Sequence, residues 1–272
     1  MGSVAALAIG RGDGDTVYVG TQVGLFRSVG ESAAAIEGWE RLPRAPIGVL
    51  CLAVSPNFAE DETILAGTNA GIYFSRDAGD TWQAAQMPLA GAVVIALSFS
   101  PNYPDDGCLM AGTLEDGILF SDTLGQRWHN ASFGLLDGTA YAVAFSPGFA
   151  QDETAFAGTD SMVYYTYNRA RAWKELKFPD EAAPALSLAL SPNYGEDKTL
   201  YAGTEKQGLY RSSDGGQTWE RLEAPASCIN GLAFADEGKA VLAATETGLL
   251  RSDDAGESWR TLLDQPDIMG LV

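Results

Sequence analysis

The six tryptophans of this 272-residue chain fall at Trp39, Trp82, Trp128, Trp173, Trp219 and Trp259. The steps between them are 43, 46, 45, 46 and 40 residues. So rare a residue at so even a spacing marks a unit of about 45 residues, repeated six times. Each unit holds four short apolar runs. In the fifth they are ALSLAL from Ala185, TLYAGT from Thr199, GLYRS from Gly208 and TWERL from Thr218. Runs this short, divided by Gly, Pro, Asn and Asp, read as strands and turns. No apolar pattern is sustained long enough for an ordinary helix. Four strands per repeat, six times over, predict an all-β fold, a β-propeller of six four-stranded antiparallel blades. The alternative is a seven-bladed propeller whose last blade is incomplete. The expected blades are 1–45, 46–90, 91–137, 138–182, 183–226 and 227–265 of a single domain, 1–272. Residues 266–272 would form an extra inner-type strand, because IMGLV lines up with INGLA at 229–233.

The first run of each unit has a period of two. Leu7, Leu52, Leu97, Val143, Leu188 and Leu232 occupy one position. Small residues flank it: Ala6, Cys51, Ala96, Ala142, Ser187 and Gly231 before, and Ala8, Ala53, Ser98, Ala144, Ala189 and Ala233 after. Alternation of this kind gives a strand with one small and one large face. Blades are wedges that pack closest at the axis, so this run is the innermost strand, A. The second run, B, ends in a threonine in all six units: Thr21, Thr68, Thr113, Thr159, Thr204 and Thr245. Asp61, Asp106, Asp152 and Asp197 recur in the A–B loops that open on Ser-Pro. One fixed aspartate per loop is far below the ligand density of a calcium loop, so no metal is expected.

Composition narrows the function classes. The net charge of −19 repels polyanions, which argues against nucleic acid. No apolar run reaches membrane-span length, so no membrane insertion is expected. Cys51, Cys108 and Cys228 form no C-x-x-C and read as small core residues. The start, MGSVAALAIGRGD, lacks a basic region before a short apolar run. The expected location is therefore cytoplasmic, or secreted if a signal once preceded it.

Three stretches repeat nearly word for word: SRDAGDTW at 75–82, SSDGGQTW at 212–219 and SDDAGESW at 252–259. SDTLGQRW at 121–128 and TYNRARAW at 166–173 are degraded copies, and the first unit keeps only Ser28 and Trp39. S-x-D-x-G-x-T-W resembles the Asp box, the bacterial neuraminidase (BNR, sialidase-like) repeat of β-propellers. The chain is similar to bacterial BNR-like repeat proteins, to the propeller that helps assemble photosystem II and to the sortilin propeller. Locally, Ser75, Asp77, Gly79 and Trp82 should form a structural turn between strands C and D. So should Ser212, Asp214, Gly216 and Trp219, and Ser252, Asp254, Gly256 and Trp259. The resemblance implies that this turn faces away from any ligand site.

Binding is then expected at the B–C tips, which differ from one another where the boxes do not. The candidate residues are Gln22, Asn69, Glu115, Asp116, Asp160, Glu205, Lys206 and Glu246, a mostly acidic set. The resemblance also raises sialidase-like hydrolysis, but the R-I-P signature is absent. Arg27, Arg211 and Arg251 share one strand-C position too far from the axis to converge on a carboxylate. Glu115 or Asp116 with Asp160 offers a carboxylate pair of the kind glycosidic hydrolysis needs. Short loops leave no wall for a substrate, and the lone His129 reads as a surface residue. The expectation is a non-catalytic scaffold, without cofactor, presenting an acidic face to a protein or peptide partner. A glycan-binding or glycoside-hydrolase role is the alternative, as is a propeller module of a larger multidomain protein.

Overall fold

A computed structural model of the chain describes residues 4–12, 15–28 and 38–264. The expected strand at 266–272 and residues 29–37, between Ser28 and Trp39, lie outside that set. The described residues form six four-stranded antiparallel sheets, the blades of a β-propeller. Blade one comprises β1 (Val4–Gly10), β2 (Thr16–Thr21), β3 (Gly24–Ser28) and β4 (Trp39–Arg41). Blade two comprises β5 (Val49–Val54), β6 (Ile64–Thr68), β7 (Gly71–Ser75) and β8 (Gln83–Ala84). Blade three comprises β9 (Val94–Phe99), β10 (Leu109–Thr113), β11 (Ile118–Ser121) and β12 (His129–Asn130). Blade four comprises β13 (Ala140–Phe145), β14 (Ala155–Thr159), β15 (Val163–Thr166) and β16 (Lys174–Glu175). Blade five comprises β17 (Ala185–Leu190), β18 (Leu200–Thr204), β19 (Leu209–Ser212) and β20 (Glu220–Leu222). Blade six comprises β21 (Ile229–Ala235), β22 (Ala240–Thr245), β23 (Leu249–Ser252) and β24 (Arg260–Leu263).

The chain divides into two compact units, Met1–Asn130 and Ala131–Val272. In the first, the inner strands β1, β5 and β9 stand side by side; in the second, β13, β17 and β21 do. The period of two explains this packing. Ala6 and Ala8 of blade one share a core with Leu52 and Val54 of blade two, and Ala189 of blade five with Leu232 and Phe234 of blade six, so a small strand-A face receives the large face of the next strand. The glycine before the strand-B threonine serves the same end. A Cβ built on Gly203 would lie 2.6 Å from Ile229 Cγ2, and one on Gly158 would lie 2.6 Å from the Ala185 carbonyl oxygen.

The A–B loops contain four one-turn helices that the sequence reading did not foresee: α1 (Phe58–Asp61), α2 (Tyr103–Asp106), α3 (Phe149–Asp152) and α4 (Tyr194–Asp197). The recurrent aspartate closes each loop. Asp61 accepts hydrogen bonds from Ser55 Oγ at 2.6 Å and from the Thr63 N–H at 2.9 Å. Asp106, Asp152 and Asp197 repeat the arrangement with Ser100, Ser146 and Ser191. These carboxylates are structural fasteners.

The Asp boxes do what their residues predict. Ser212 Oγ donates to Asp214 Oδ1 at 2.8 Å and accepts the Gly216 N–H at 2.8 Å. Asp214 also accepts the Thr218 N–H at 2.9 Å and its hydroxyl at 2.6 Å. Trp219 Nε1 returns to the Gly216 carbonyl at 3.1 Å. Gly216 has φ of +88°, a conformation side chains resist. The degraded boxes keep the same turn with weaker chemistry. Thr123 and Asn168 replace the aspartate, and Ala170 takes φ of +58° at the glycine position.

Two kinds of joint connect successive blades. Where the following box is complete, a strand-D leucine lies beneath its glycine. Built Cβ atoms on Gly79, Gly216 and Gly256 fall 2.8, 2.4 and 2.6 Å from Leu42, Leu176 and Leu222. Where the following box is degraded, that leucine is Ala85 or Ala131, and backbone bonds take over. The Trp128 N–H donates to the Gln86 carbonyl and the Trp173 N–H to that of Phe133, both at 2.9 Å. Arginine strengthens two complete-box joints. Arg27 Nη1 donates to the Ala78 carbonyl at 3.2 Å and to Asp80 at 2.7 Å, and its Nε to Glu40 at 3.1 Å. Arg211 does the same with the Ala255 carbonyl at 2.8 Å, Glu257 at 3.0 Å, and Glu220. Arg251 instead pairs within its own blade with Asp236 and Asp253. Arg27 and Arg211 thus clasp the next blade, whereas all three arginines are held by carboxylates of the outer strands and turns.

The boxes also set a pH dependence. The Thr218 hydroxyl and N–H hold the Asp214 carboxyl down at about 2, and Ser258 does the same for Asp254. A depressed pKa contributes stability above the ordinary value of 3.8 that is lost as pH falls toward 2. Asp214→Asn should therefore lower the urea midpoint at pH 7 and flatten its decline between pH 4 and pH 2. An unchanged acid limb would show that the box carboxylate does not hold the turn.

Candidate functional site

Each blade turns from B to C over a buried threonine. Thr204 Oγ1 donates to the Gly208 carbonyl at 2.8 Å and accepts the Gln207 N–H at 3.0 Å. Thr21, Thr68, Thr113 and Thr245 make the same carbonyl bond, and Thr159 Oγ1 lies 3.0 Å from the equivalent Met162 carbonyl. With the turn fixed from below, the tip residues are free to vary. Tips and blade-to-blade connections lie at the same end of the antiparallel blades and are stitched together. The Gly48 N–H donates to the Gln22 carbonyl at 3.1 Å, and the Asn69 N–H to that of Gly48 at 3.2 Å. The Gly208 N–H reaches the Ser227 carbonyl at 2.8 Å.

The predicted residues divide by role. In the first unit, Gln22, Asn69 and Glu115 are exposed, and Asp116 is half-buried, its N–H bonded to Thr113 Oγ1 at 2.9 Å. Around them Val23, Ile47, Leu89 and Leu114 are exposed, so apolar side chains share this part of the tip end with the polar ones. In the second unit, Asp160 and Glu205 are exposed, and Lys206 pairs with Glu205 at 2.8 Å. Glu246 turns inward to accept the Ser227 N–H and hydroxyl, both at 3.0 Å, and the Cys228 N–H at 2.9 Å. Burial pushes its carboxyl up, but these bonds outweigh it and hold the group below the usual range. Glu246 is a loop clamp.

Two residues that sequence reasoning missed complete the second unit's tip end. Asp137, from the connection into blade four, accepts hydrogen bonds from Thr159 Oγ1 at 2.5 Å and Ser161 Oγ at 2.8 Å. Tyr141 donates its hydroxyl to Asp160 at 2.9 Å. Burial, the bond to Asp160 and the nearby Glu205 carboxylate all raise its pKa. Tyr141 occupies the bulge in β13 between Ala140 and Ala142. Ala5, Leu50, Ile95, Leu186 and Asn230 sit at the matching bulges. A tyrosine among these was the available signal. The tips themselves lack aromatic residues, but the strand beneath one of them supplies a ring.

The remaining candidates are accounted for. Cys108 is fully buried, whereas Cys51 and Cys228 are half-buried. His129 is exposed beside Phe120, with ring centroids 5.7 Å apart. Among the described residues no group of three His, Cys, Asp or Glu side chains is placed to hold a metal ion.

The BNR/Asp-box repeat model matches residues 210–221, the fifth blade's box with its flanking strands. No curated protein matches the chain by sequence. Among solved structures it is similar to an ancestral GH74 enzyme, at 19% identity and TM-score 0.73, over 98% of this chain and 39% of that one. The GH74 xyloglucanase of Xanthomonas campestris matches at 18% identity and TM-score 0.72, over 96% of this chain and 45% of that one. The extracellular domain of BT4673 from B. thetaiotaomicron matches at 16% identity and TM-score 0.69, over 99% of this chain and 35% of that one. The chain therefore spans less than half the length of each, and the likeness is one of fold. It is a six-bladed β-propeller that carries the BNR/Asp-box repeat.

Proposed function

We propose that the chain is a non-catalytic binding platform whose tip end receives a basic protein or peptide segment. One observation carries this reading. The A–B and C–D turns are consumed by the same internal hydrogen bonds in blade after blade, while the B–C tips differ. Tyr141 with Asp160 and Glu205 supplies carboxylates beside an aromatic ring, a chemistry suited to lysine or arginine side chains. The net charge of −19 favours the same partner through long-range attraction. Binding of a Lys/Arg-rich peptide library to the whole chain tests this. Asp160→Asn with Glu205→Gln should weaken the best peptides about tenfold and reduce the salt dependence of binding. Affinity that ignores both substitutions would refute the assignment.

The GH74 neighbours favour a second reading, a carbohydrate-active protein. Glycosidic hydrolysis would require two carboxylates about 5–10 Å apart across a bound sugar. Release of reducing ends from xyloglucan by the purified chain, lost in Asp160→Asn, would replace the platform reading with this one.

A further inference from the structure

The two arginine-clasped joints share one arrangement of charge. At each, a strand-C arginine meets the carbonyl of the next box's fourth residue, the carboxylate of its sixth, and a strand-D glutamate opposite. Arg27 meets Ala78, Asp80 and Glu40 in this way, and Arg211 meets Ala255, Glu257 and Glu220. The joint between blades two and three keeps the positions and changes their chemistry. Phe74 stands where those arginines stand, and Gln83 is opposite it as Glu40 is opposite Arg27. The sixth residue of the third blade's box is Gln126. The fourth-position carbonyl, that of Leu124, still receives a guanidinium, but from the second residue of the preceding box. Arg76 Nη2 donates to it at 3.2 Å, and the guanidinium lies over the Phe74 ring, 5.3 Å from its centroid. One positive charge remains, and both carboxylates have become amides.

The result is a cleft of about 220 Å³, lined by Phe74, Arg76, Thr81, Gln83 and Gln126 with the start of the second blade's box. Ring and carbonyl fix the guanidinium from one side. Among the described residues Arg76 has no carboxylate partner, and the side-chain amides of Gln83 and Gln126 have no hydrogen-bond partner. Asp77 also lines the cleft, but its carboxylate is committed to the turn. It accepts Ser75 Oγ at 2.7 Å, the Thr81 N–H at 2.8 Å and the Thr81 hydroxyl at 2.5 Å. We infer that this cleft binds a small carboxylate bearing hydroxyl groups. The ligand's carboxylate pairs with Arg76 and stands in for the two that the clasped joints supply internally. The amides of Gln83 and Gln126 both donate and accept, which suits the ligand's hydroxyls. The cleft lies at the box end of blade two, where the resemblance to Asp-box propellers implied structure alone. It is independent of the platform reading, which concerns the tips.

The test titrates the isotope-labelled full chain with tartrate and follows the Arg76 Nε–H and the side-chain amides of Gln83 and Gln126 by NMR. All three groups should shift and saturate together, while sodium chloride at matched ionic strength leaves them in place. Threitol, which has the hydroxyls of tartrate and no carboxylate, should also leave them in place. Arg76→Gln, a change at an exposed side chain, should weaken tartrate at least about tenfold. Gln83→Glu with Gln126→Glu restores the carboxylates of the clasped joints and should abolish the response by pairing with Arg76 from within. Shifts that do not saturate, or that survive Arg76→Gln, overturn the inference. An equal response to sulfate or to threitol overturns it as well, because the site would then not be reading a carboxylate.

Discussion

Gly158→Ala and Gly203→Ala should each destabilise the protein by about 2–4 kcal/mol, although alanine is the smallest change a glycine can undergo. Neither position has positive φ, so the expected loss does not come from backbone strain. It comes from the wedge. The new methyl on residue 158 would sit 2.6 Å from the Ala185 carbonyl oxygen, and that on residue 203 would sit 2.3 Å from Ser187 Oγ and 2.6 Å from Ile229 Cγ2. The first obstacle is backbone and the second a β-branched side chain with 0% exposure, so neither yields by a simple rotation. The inner strands would have to separate, and every contact between Ala185–Leu190 and its neighbours would loosen together. Gly195→Ala is the control. Nothing lies within 4 Å of a Cβ there, and the residue is in a helical turn, so the expected change is about zero to 1 kcal/mol of added stability. Urea unfolding of the three variants decides the matter. Equal midpoints would mean that close approach at the inner strands is not what the recurrent glycine serves.

That glycine shows how far the sequence could be read. It recurs before the threonine in five of six units, and the alternating small and large residues of strand A say that something must approach closely. The fold was legible because a repeat states each rule several times. The box turn was legible because its bonds join residues at most four positions apart. The one-turn helices were not, since four residues are too few to show a period. Asp137 and Tyr141 were hidden for another reason. Asp137 finds Thr159 at 22 residues' distance, and Tyr141 owes its place to a bulge, a slip of register that no propensity encodes. The two kinds of blade joint lay between these cases. Leucine or alanine three positions after tryptophan correlates with a complete or degraded box in the following unit, but the pairing acquires meaning only once the two are seen in contact. The tip end was legible as variable, but the exposed apolar side chains of its connections, Ile47 and Leu89 in the first unit and Phe133 and Leu136 in the second, were not singled out.

Tyr201→Ala should be among the most damaging single substitutions in the second unit, at about 3–5 kcal/mol. The ring is 1% exposed, meets Phe234 edge-on with centroids 5.6 Å apart, and belongs to the core shared by blades five and six. Burial raises its pKa, so the hydroxyl stays protonated as a donor across the ordinary range. It donates to the Ala255 carbonyl at 2.9 Å, within the Asp box of blade six. Arg211 Nη1 donates to the same oxygen at 2.8 Å. Two donors on one acceptor separate packing from polarity. Tyr201→Phe keeps the ring and leaves the carbonyl its arginine, so it should cost only about 1 kcal/mol. Arg211→Ala leaves the carbonyl its tyrosine and should cost about as little, because its other partners are exposed carboxylates. Together the two changes strand a carbonyl that one donor alone could satisfy. The double variant should then lose about 1 kcal/mol more than the sum of the singles. Additivity in that cycle would mean that the box is held by ring packing alone and that the shared carbonyl contributes nothing to the joint. The equivalent pair, Tyr18 and Arg27 on Ala78, lies in the other unit, where the same cycle provides an independent repeat.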